Sequence, residues 1–316
     1  MKTPLRYPGG KSRAVKHILP LIPHDCGELC SPFLGGGSIE LAVAGRGTRV
    51  HAYDVFKPLV WFWESLLSTP QQLAEAADSY RVHHPDYLLP KSRKDKELVP
   101  VRGLLKDEFH KLREELRMEA THSLENAAKF YAINRSSFSG ATFSGGYSKR
   151  ASYARFTDSS IERIRKFKEP NLTVGQADFK DSIPKHPDAF LYLDPPYMLG
   201  ESKEKLYGDN GDTHAGFDHQ GLYDVLSQRS DWLLSYNNCD EIRELYKEYE
   251  ITEAAWAMGM KNVVSQEVTA AKQSLVELKA FLEENKLFLS CLTYIEGCVE
   301  QLKKPQGSAS EILIRG

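Results

Sequence analysis

A short apolar run that ends in two prolines is the feature that most constrains this chain. The run, Ala189 to Leu193, has the length and composition of a buried strand, and Asp194-Pro195-Pro196-Tyr197 follows it. The prolines rule out a helix and hold the residues before them extended. At the carboxyl end of a strand, where open α/β sheets bind ligands, the turn offers acceptor oxygens from Asp194 and Pro195 and the flat ring of Tyr197. These groups suit an exocyclic amine, although four residues alone fit a surface turn equally well.

Two glycine-rich turns lie upstream of this run. Tyr7-Pro8-Gly9-Gly10-Lys11 is a loop whose glycines let the backbone approach a ligand. Its lysine can hold a carboxylate or phosphate, or be simply solvated. Phe33-Leu34-Gly35-Gly36-Gly37 ends a predicted strand, Leu29 to Leu34, and leads into a predicted helix, Ser38 to Ala44, an arrangement that cradles nucleotide-like ligands. It lacks the Gly-Lys-Ser/Thr ending of an NTPase phosphate loop, so ATP hydrolysis is not indicated.

Carboxylates also end other predicted strands. Asp54 closes the predicted strand Arg49 to Asp54 and lies 17 residues after Gly37, close to the spacing of the acid that binds ribose hydroxyls. An aspartate here also suits a cap for the next helix, and the two roles are compatible. Asp178 and Phe179 follow a further predicted strand.

Residues 58 to 168 break this strand–helix alternation. Helical patterns over Pro70 to Tyr80, Arg102 to Met118 and Ser123 to Ile133 surround a polar linker, Leu89 to Val101. This region is therefore predicted to be mostly helical.

A basic stretch closes the middle region. Between residues 129 and 168 there are nine lysines and arginines but only two acids, and aromatic residues are interleaved with them. The loop Asn134 to Arg150 is rich in glycine, serine and aromatic residues. Phosphate contact together with base contact needs this combination, so we favour nucleic-acid binding over a solvated face.

The C-terminal part contains two unusual segments. Gly200 to Gly216 is polar and contains glycine, which is typical of a mobile lid. Apolar residues recur at alternating steps of four and three from Val264 to Leu282 and again from Phe288 to Leu302. They predict two helices inserted before a last strand, Glu311 to Ile314. We slightly favour a helix pair that packs on the domain. The alternative is a surface that binds a second copy of the chain or another partner.

The composition of the chain limits its number of domains and the kinds of site that it can contain. The 316 residues, 41% hydrophobic and 27% charged, suffice for one large or two ordinary domains. A net charge of −2 means that nucleic-acid binding must rest on a local patch. The five cysteines form neither a zinc spacing nor a disulfide framework, and no metal-ligand cluster is visible. With no apolar run long enough for a membrane span and no signal core, we expect a cytoplasmic protein without a metal.

The order of the motifs resembles the Dam-like class of DNA adenine-N6 methyltransferases. The matching residues are Tyr7 to Lys11, Phe33 to Ser38, Asp54, Asp178-Phe179 and Asp194 to Tyr197. The resemblance implies an α/β fold, a Rossmann-like S-adenosylmethionine-dependent methyltransferase sheet of mostly parallel strands with one late antiparallel strand. It implies a catalytic domain of residues 1–57 and 169–316 and a mostly helical target-recognition insertion at 58–168. The helical insertion at 262–307, which the apolar spacing predicts, departs from the compact family pattern.

The resemblance also implies roles for individual residues. Tyr7 and Lys11 would contact the cofactor, the Phe33–Gly37 turn would cradle its methionine part, and Asp54 would hold its ribose. The cofactor residues it implies are Tyr7, Lys11, Phe33, Gly35, Gly37, Asp54, Asp178, Phe179 and Asp194. The catalytic positions that hold the target base are Asp194, Pro195, Pro196 and Tyr197, and the DNA-binding candidates are Arg135, Ser137, Lys149 and Arg150.

The expected activity is site-specific methylation of a flipped adenine at N6 in double-stranded DNA. The alternatives within enzymes are methylation of cytosine N4, of RNA, or of a protein amide, since the acceptor turn can hold any planar amine or amide. Protein-amide enzymes of similar shape carry Asn in place of Asp194, so the aspartate favours a base. A DNA-binding module without catalysis is the remaining alternative, and the intact set of Lys11, Asp54 and Asp194 weighs against it.

Overall fold

The computed structural model describes residues 2–90, 95–198, 216–254 and 311–316. Within them the strands are β1 (Glu28–Ser31), β2 (Arg49–Asp54), β3 (Val82–Pro90), β4 (Leu98–Gly103), β5 (Leu172–Gln176), β6 (Phe190–Leu193), β7 (Trp232–Asn237), β8 (Glu250–Glu253) and β9 (Glu311–Arg315). The α-helices are α1 (Val15–Ile18), α2 (Ser38–Ala44), α3 (Lys57–Ser68), α4 (Pro70–Ser79), α5 (Lys106–Met118), α6 (Leu124–Ser136), α7 (Lys149–Arg155), α8 (Asp158–Arg165), α9 (Phe179–Ser182), α10 (His219–Leu226) and α11 (Asp240–Leu245). Short 3-10 turns cover Lys11–Arg13, Leu19–Leu21, Phe138–Gly140 and Ile183–Lys185.

Two of the sequence predictions fall outside these residues. The predicted lid lies outside them except for its last residue, Gly216. The helix pair predicted between residues 262 and 307, with the homodimer surface attached to it, lies wholly outside them. Among the described residues, no helix combines the length and the apolar character that a bilayer crossing needs.

Seven strands form one sheet in the order β5-β2-β1-β6-β7-β9-β8. The pairs from β5 through β7 are parallel, whereas β9 runs antiparallel to both β7 and β8. The mostly parallel sheet with a late antiparallel strand is confirmed.

The strand order reverses between β1 and β6. From β1 the chain moves outward to β2, and it later returns to place β6 on the other side of β1. In an open α/β sheet, ligands bind in the crevice at such a reversal, beyond the carboxyl ends of the strands. The residues that follow β1, β2 and β6 therefore meet at one edge of the sheet.

Both faces of the sheet are covered, which explains the uninterrupted apolar character of β6. Tyr192 belongs to the hydrophobic cluster on one face, together with the helices of the middle region. Leu191 and Leu193 belong to the cluster on the other face, together with α10 and α11. Strands buried on both sides are apolar throughout rather than alternating.

The observed bounds of helices and strands agree closely with the predicted ones where turn-forming residues mark the ends of the element. The predicted bounds of α2 and β2 are those observed. The first strand ends at Ser31 rather than at the predicted Leu34, since Pro32 has no N–H to donate to a neighbouring strand.

The predicted polar linker from Leu89 to Val101 is wrong. Residues 89 and 90 lie in β3 and residues 98–101 in β4, two strands that pair antiparallel, and α5 begins at Lys106 rather than at Arg102. Pro100 within β4 weakened the strand pattern, yet a two-stranded ribbon tolerates proline because each strand has a free edge.

Helix α6 lies at the centre of the middle region. Its residues 126 to 136 are all buried, against α3, α4 and α5 among others. The middle region also shares one hydrophobic cluster with a face of the sheet, through residues such as Phe62, Phe130 and Phe190.

Candidate active site

Lys11 ties the turn after β6 to the N-terminal glycine loop. Its Nζ lies 2.8 Å from Oδ1 of Asp194 and 2.7 Å from the hydroxyl oxygen of Tyr197. It also donates to the carbonyl oxygen of Gly9 at 3.4 Å. Lys11 is buried, which excludes the solvated lysine that the sequence allowed.

Glu311, the first residue of β9, completes this network, and no motif in the sequence points to it. Its side chain is fully buried. The Tyr197 hydroxyl donates to Glu311 Oε1 at 2.9 Å, and Lys11 Nζ lies 3.5 Å from the same oxygen. The only feature of the sequence that could have indicated Glu311 is an acidic residue at the start of an apolar strand.

Two carboxylates thus share one ammonium group. Burial alone would lower the pKa of Lys11, but attraction by Asp194 and then by Glu311 outweighs burial and raises this pKa. Burial also raises the pKa of Asp194; Lys11 opposes this effect and Glu311 reinforces it. Lys11 therefore stays charged, and Asp194 holds a proton more readily than an exposed aspartate does.

Asn237 fixes the chain just beyond Tyr197. Its Oδ1 accepts from the backbone N–H of Met198 at 3.0 Å, and its Nδ2 donates to the Met198 carbonyl oxygen at 2.9 Å. An amide that pairs with both backbone groups of one residue holds the end of the Asp194–Tyr197 turn in one conformation.

The turn between β1 and α2 depends on its glycines. Gly37 has φ 66°, and a Cβ there would lie 2.5 Å from the ring of Trp63. A Cβ on Gly36 would lie 2.9 Å from Cβ of Tyr7, so Tyr7 packs directly against the turn. Trp63 Nε1 donates to the carbonyl oxygen of Gly35 at 3.2 Å. The segment that carries Tyr7 and Lys11 therefore contacts both the glycine turn and Asp194.

Asp54 joins the end of β2 to the same turn. Its Oδ2 accepts from the Gly35 backbone N–H at 3.0 Å, and its Oδ1 accepts from the Phe56 N–H at 2.9 Å. Burial raises the pKa of Asp54, against the opposing effect of these hydrogen bonds. The aspartate thus supports the start of α3 while lying beside the glycine turn.

Asp178 and Phe179 lie at the end of β5, as predicted. The Asp178 carboxylate accepts from the Lys180 N–H at 2.9 Å and caps α9. Phe179 is buried, with its ring centroid 6.0 Å from that of Phe33 and 5.6 Å from that of Phe217. An aromatic group therefore lies beyond β1 and β5, with Phe33 partly exposed.

The candidates for DNA contact divide into two pairs. Arg135 and Ser137 are buried. The Arg135 guanidinium donates to the carbonyl oxygens of Arg155 and Pro4, and the Ser137 hydroxyl donates to that of Asn134. Both side chains make their hydrogen bonds inside the protein, because α6, which contains Arg135 and ends next to Ser137, is buried along nearly its whole length. The structure does not present them to a nucleic acid.

Lys149 and Arg150, in contrast, are exposed at the start of α7. Phe138 is 69% exposed, an unusual position for a large aromatic side chain. It lies in the loop that the bridge between Ser137 and Tyr147 closes. A cationic pair and an exposed ring therefore flank one loop.

This loop is anchored to the N-terminal segment. Asn134 Nδ2 donates to the carbonyl oxygens of Arg6 and Gly140, at 2.7 Å and 2.9 Å. Because Arg6 directly precedes Tyr7, the loop and the Tyr7–Lys11 segment are held side by side.

Comparison with known proteins gives consistent matches. A family model described as D12 class N6 adenine-specific DNA methyltransferase matches residues 7–260. The type II methyltransferase M1.LlaDCHI of Lactococcus lactis subsp. cremoris is 23% identical over 284 residues, which cover 84% of this chain and 92% of that protein. The type II methyltransferase M.CviBI of Paramecium bursaria Chlorella virus NC1A is 22% identical over 264 residues, 80% of this chain and 89% of that protein.

Proposed function

The chain belongs to the D12 class of N6 adenine-specific DNA methyltransferases, and from this premise we propose that the corner from Asp194 to Tyr197 holds the adenine that it methylates. The protein is a site-specific DNA methyltransferase, and enzymes of this kind generally use S-adenosylmethionine. The names of both relatives support a role in a type II modification system.

One observation carries the proposal. Lys11 lies within hydrogen-bond distance of Asp194 and Tyr197, and Tyr7, four residues earlier, packs on the glycine turn. A site for methyl transfer needs the amine and the methyl donor in contact. One short segment here touches both of the turns that we assign to them.

The residues present fit S-adenosylmethionine. The three glycines before α2 carry no side chains, and Tyr7 and Trp63 pack against their Cβ positions, so the backbone groups of this turn can hold a ligand's amino acid part. The Asp54 carboxylate suits ribose hydroxyls, and the Asp178 carboxylate with the neighbouring aromatic rings suits an adenine. We assign cofactor contacts to Tyr7, Lys11, Phe33, Gly35, Gly37, Asp54, Asp178, Phe179 and Asp194.

When bound, this cofactor supplies a methyl carbon made electrophilic by a sulfonium. The exocyclic amine of adenine is a weak nucleophile, because its lone pair is delocalised into the ring. Acceptors at the Asp194 carboxylate and the Pro195 carbonyl would hold its two hydrogens and favour a more tetrahedral nitrogen. Catalysis then rests mainly on positioning and on fixed electrostatics.

After transfer the nitrogen carries one proton too many. The Asp194 carboxylate accepts from this amine, and its raised pKa makes it a suitable acceptor for that proton. Lys11, which also pairs with Glu311, keeps the carboxylate in place during this exchange.

The target amine is inaccessible in a stacked duplex, so we propose that the adenine is flipped out, at a cost of a few kcal/mol. Stacking on Tyr197 would offset part of this, typically ~1–3 kcal/mol per base. The Tyr197 hydroxyl is held by Lys11 and Glu311, which fixes the ring's orientation before the base arrives.

We propose that the 58–168 region recognises the target DNA. Lys149 and Arg150 would contact phosphates, and the loop around Phe138 would face the bases. Arg135 and Ser137 support this loop from inside.

The test compares the wild-type protein with Asp194→Asn and Asp194→Ala. Incubation with DNA and labelled S-adenosylmethionine should give N6-methyladenine, identified by nucleoside analysis. Each substitution should lower the turnover on the order of a hundredfold or more while circular dichroism stays unchanged. Asp188→Ala, at an exposed aspartate shortly before β6, is the matched control. Wild-type turnover in Asp194→Asn would refute the assigned role, and a different methylated base would refute the choice of adenine.

A further inference from the structure

A second group of chemically active side chains lies away from the active site. Glu28 opens β1, His51 lies in the middle of β2, and His186 follows the 3-10 turn that leads towards β6. They are 23 and 135 residues apart along the chain, so no metal-ligand spacing in the sequence reveals them. They belong to the amino-terminal halves of their strands and to the connection before β6, whereas the proposed active site lies beyond the carboxyl ends.

The three residues meet closely. The rings of His51 and His186 stack with centroids 4.3 Å apart and planes 20° apart. One ligand atom from each of Glu28, His51 and His186 can be chosen so that all lie within 4.8 Å of one another. Around a tetrahedral ion with bonds of about 2.0–2.1 Å, ligand atoms lie about 3.3 Å apart, so binding requires these atoms to approach by roughly 1.5 Å at most. It also requires one of the two stacked rings to turn, so that both nitrogens point at the ion.

One nitrogen of the cluster has no satisfactory partner. His51 Nε2 is buried and makes no hydrogen bond within the described part of the chain. Glu28 Oε2 lies 3.4 Å from it, without hydrogen-bond geometry. A buried nitrogen that makes no hydrogen bond and lies 3.4 Å from a carboxylate oxygen is available as a ligand atom.

The other ends of these side chains are held by the surrounding protein. His51 Nδ1 lies 3.0 Å from Thr173 Oγ1, and Tyr53 contacts His186 Nε2 at 2.8 Å through its hydroxyl. Arg49 holds Glu28 Oε1 and leaves Oε2 for another partner. Metal-binding histidines are usually oriented in this way by a hydrogen bond to the second ring nitrogen.

We propose that Glu28, His51 and His186 bind one divalent transition-metal ion, with Zn²⁺ as the best match. Two imidazoles and one carboxylate are a common ligand set for Zn²⁺ and a poor one for Mg²⁺ or Ca²⁺. Water supplies the fourth position, because Glu28 and His51 are partly exposed. The positive charge of Arg49 weakens the site without blocking it, since it neutralises only part of Glu28.

The ion would join β1 and β2 to the connection that runs from α9 to β6. That connection carries Phe179 near its beginning and leads to Asp194. Metal binding would therefore stabilise the fold in this part of the sheet, independently of methyl transfer.

The experiment uses the full chain, without a polyhistidine tag and freed of metal by a chelator. Titration with ZnCl₂ in a calorimeter should show one ion per chain, and Co²⁺ should give the absorption of a tetrahedral site. His51→Gln and His186→Gln should each bind Zn²⁺ at least about tenfold more weakly. His24→Gln, at an exposed histidine outside the cluster, is the matched control and should bind as the wild type does.

If a histidine variant folds poorly, thermal unfolding experiments still test whether Zn²⁺ binds at this site. Zn²⁺ should raise the melting temperature of the wild type and of His24→Gln. Glu28→Gln, at a side chain 35% exposed, should fold normally and show a smaller rise. Equal affinity in wild type, His51→Gln and Glu28→Gln, or no saturable binding to the wild type, would overturn the proposal, whether or not the protein methylates DNA.

Discussion

Lys11 lies between the partly buried carboxylate of Asp194 and the fully buried carboxylate of Glu311, and its single positive charge attracts both. Asp194 is the one we assign to the target amine, while Glu311 holds the Tyr197 hydroxyl from the other side. Burial raises the pKa of Asp194 most and Glu311 raises it further, so Glu311 contributes to the pH at which Asp194 becomes an ionised acceptor.

We therefore expect Glu311→Gln to change the pH dependence of methylation. The substitution removes a negative charge near Asp194 and so lowers its pKa. Since methylation needs the ionised form, the acid limb of the kcat/KM profile should move to lower pH. Glutamine can still accept from Tyr197, so the rate at neutral pH should stay within about tenfold of the wild type.

The control is Glu253→Gln, on the exposed part of β8, which should leave the profile unchanged. If Glu311→Gln only lowered the rate at every pH equally, its role would be structural and not electrostatic.

Glu40 is a buried acid that catalysis does not use. Burial raises its pKa from the ordinary 4.5 to about 7, although Ser31 donates to it at 2.7 Å. The folded protein therefore binds the Glu40 proton more tightly than the unfolded chain does. Its contribution is fully favourable below about pH 4.5, is lost progressively between pH 4.5 and 7, and then stays constant, a change of up to about 3 kcal/mol.

Glu40→Gln should remove this pH dependence, because glutamine resembles the protonated acid. In urea unfolding the variant should match the wild type at pH 5 and exceed its free energy of unfolding at pH 8. An equal difference between the two proteins at both pH values would show that Glu40 is ionised in the folded protein throughout.

At the scale of elements, the turn between β1 and α2 has two separate reasons to require glycine. Gly37 has positive φ, and Trp63 occupies the space where a Cβ would lie. Gly47, in the turn after α2, also has positive φ, 98°, but nothing lies within 4 Å of the position of its Cβ. A comparison of substitutions at the two positions therefore separates the cost of backbone strain from the cost of a steric clash.

We expect Gly47→Ala to cost about 1 kcal/mol, the usual penalty for a left-handed residue with a side chain. Gly37→Ala should cost about 2–4 kcal/mol, since overpacking against Trp63 adds to the same strain. The midpoints of urea unfolding measure both. Equal costs would mean that Trp63 moves aside freely.

The bounds of an element could be predicted where glycines or a terminal carboxylate mark its ends, and could not be predicted elsewhere. β2 and α2 have their predicted bounds because glycines and a terminal carboxylate mark them. The hairpin of β3 and β4 was missed because its strands contain prolines, among them Pro100, and because β4 buries few side chains. Arg135 and Ser137 were predicted to lie in an exposed loop after a helix that ends at Ile133, whereas α6 continues to Ser136 and is buried on all sides.

At the scale of the whole molecule, the active site is assembled from distant segments. Lys11 and Asp194 are 183 residues apart, and Tyr197 and Glu311 are 114 apart. Apart from Tyr7 and Lys11, which precede β1, the motif residues were predictable because each ends or follows a strand whose carboxyl end lies at the same edge of the sheet. Glu311 was not, because its place depends on β9 entering between β7 and β8, a pairing that no local pattern encodes.

Charge on the whole molecule cannot attract DNA, since the net charge is −2. Affinity must come from a local basic surface, and Lys149 and Arg150 are its exposed candidates beside the loop of Phe138. Each phosphate contact releases counterions, which contributes about 0.9 to the slope of log K against log salt concentration.

The double variant Lys149→Gln/Arg150→Gln should therefore reduce this slope by about 2 in fluorescence-anisotropy titrations with duplex DNA. Lys16→Gln/Lys247→Gln removes the same net charge from exposed positions elsewhere and is the matched control. If long-range charge alone governed binding, both double variants would weaken it alike with little change of slope. A loss of slope confined to the first variant would mean that these two side chains lie against the phosphates.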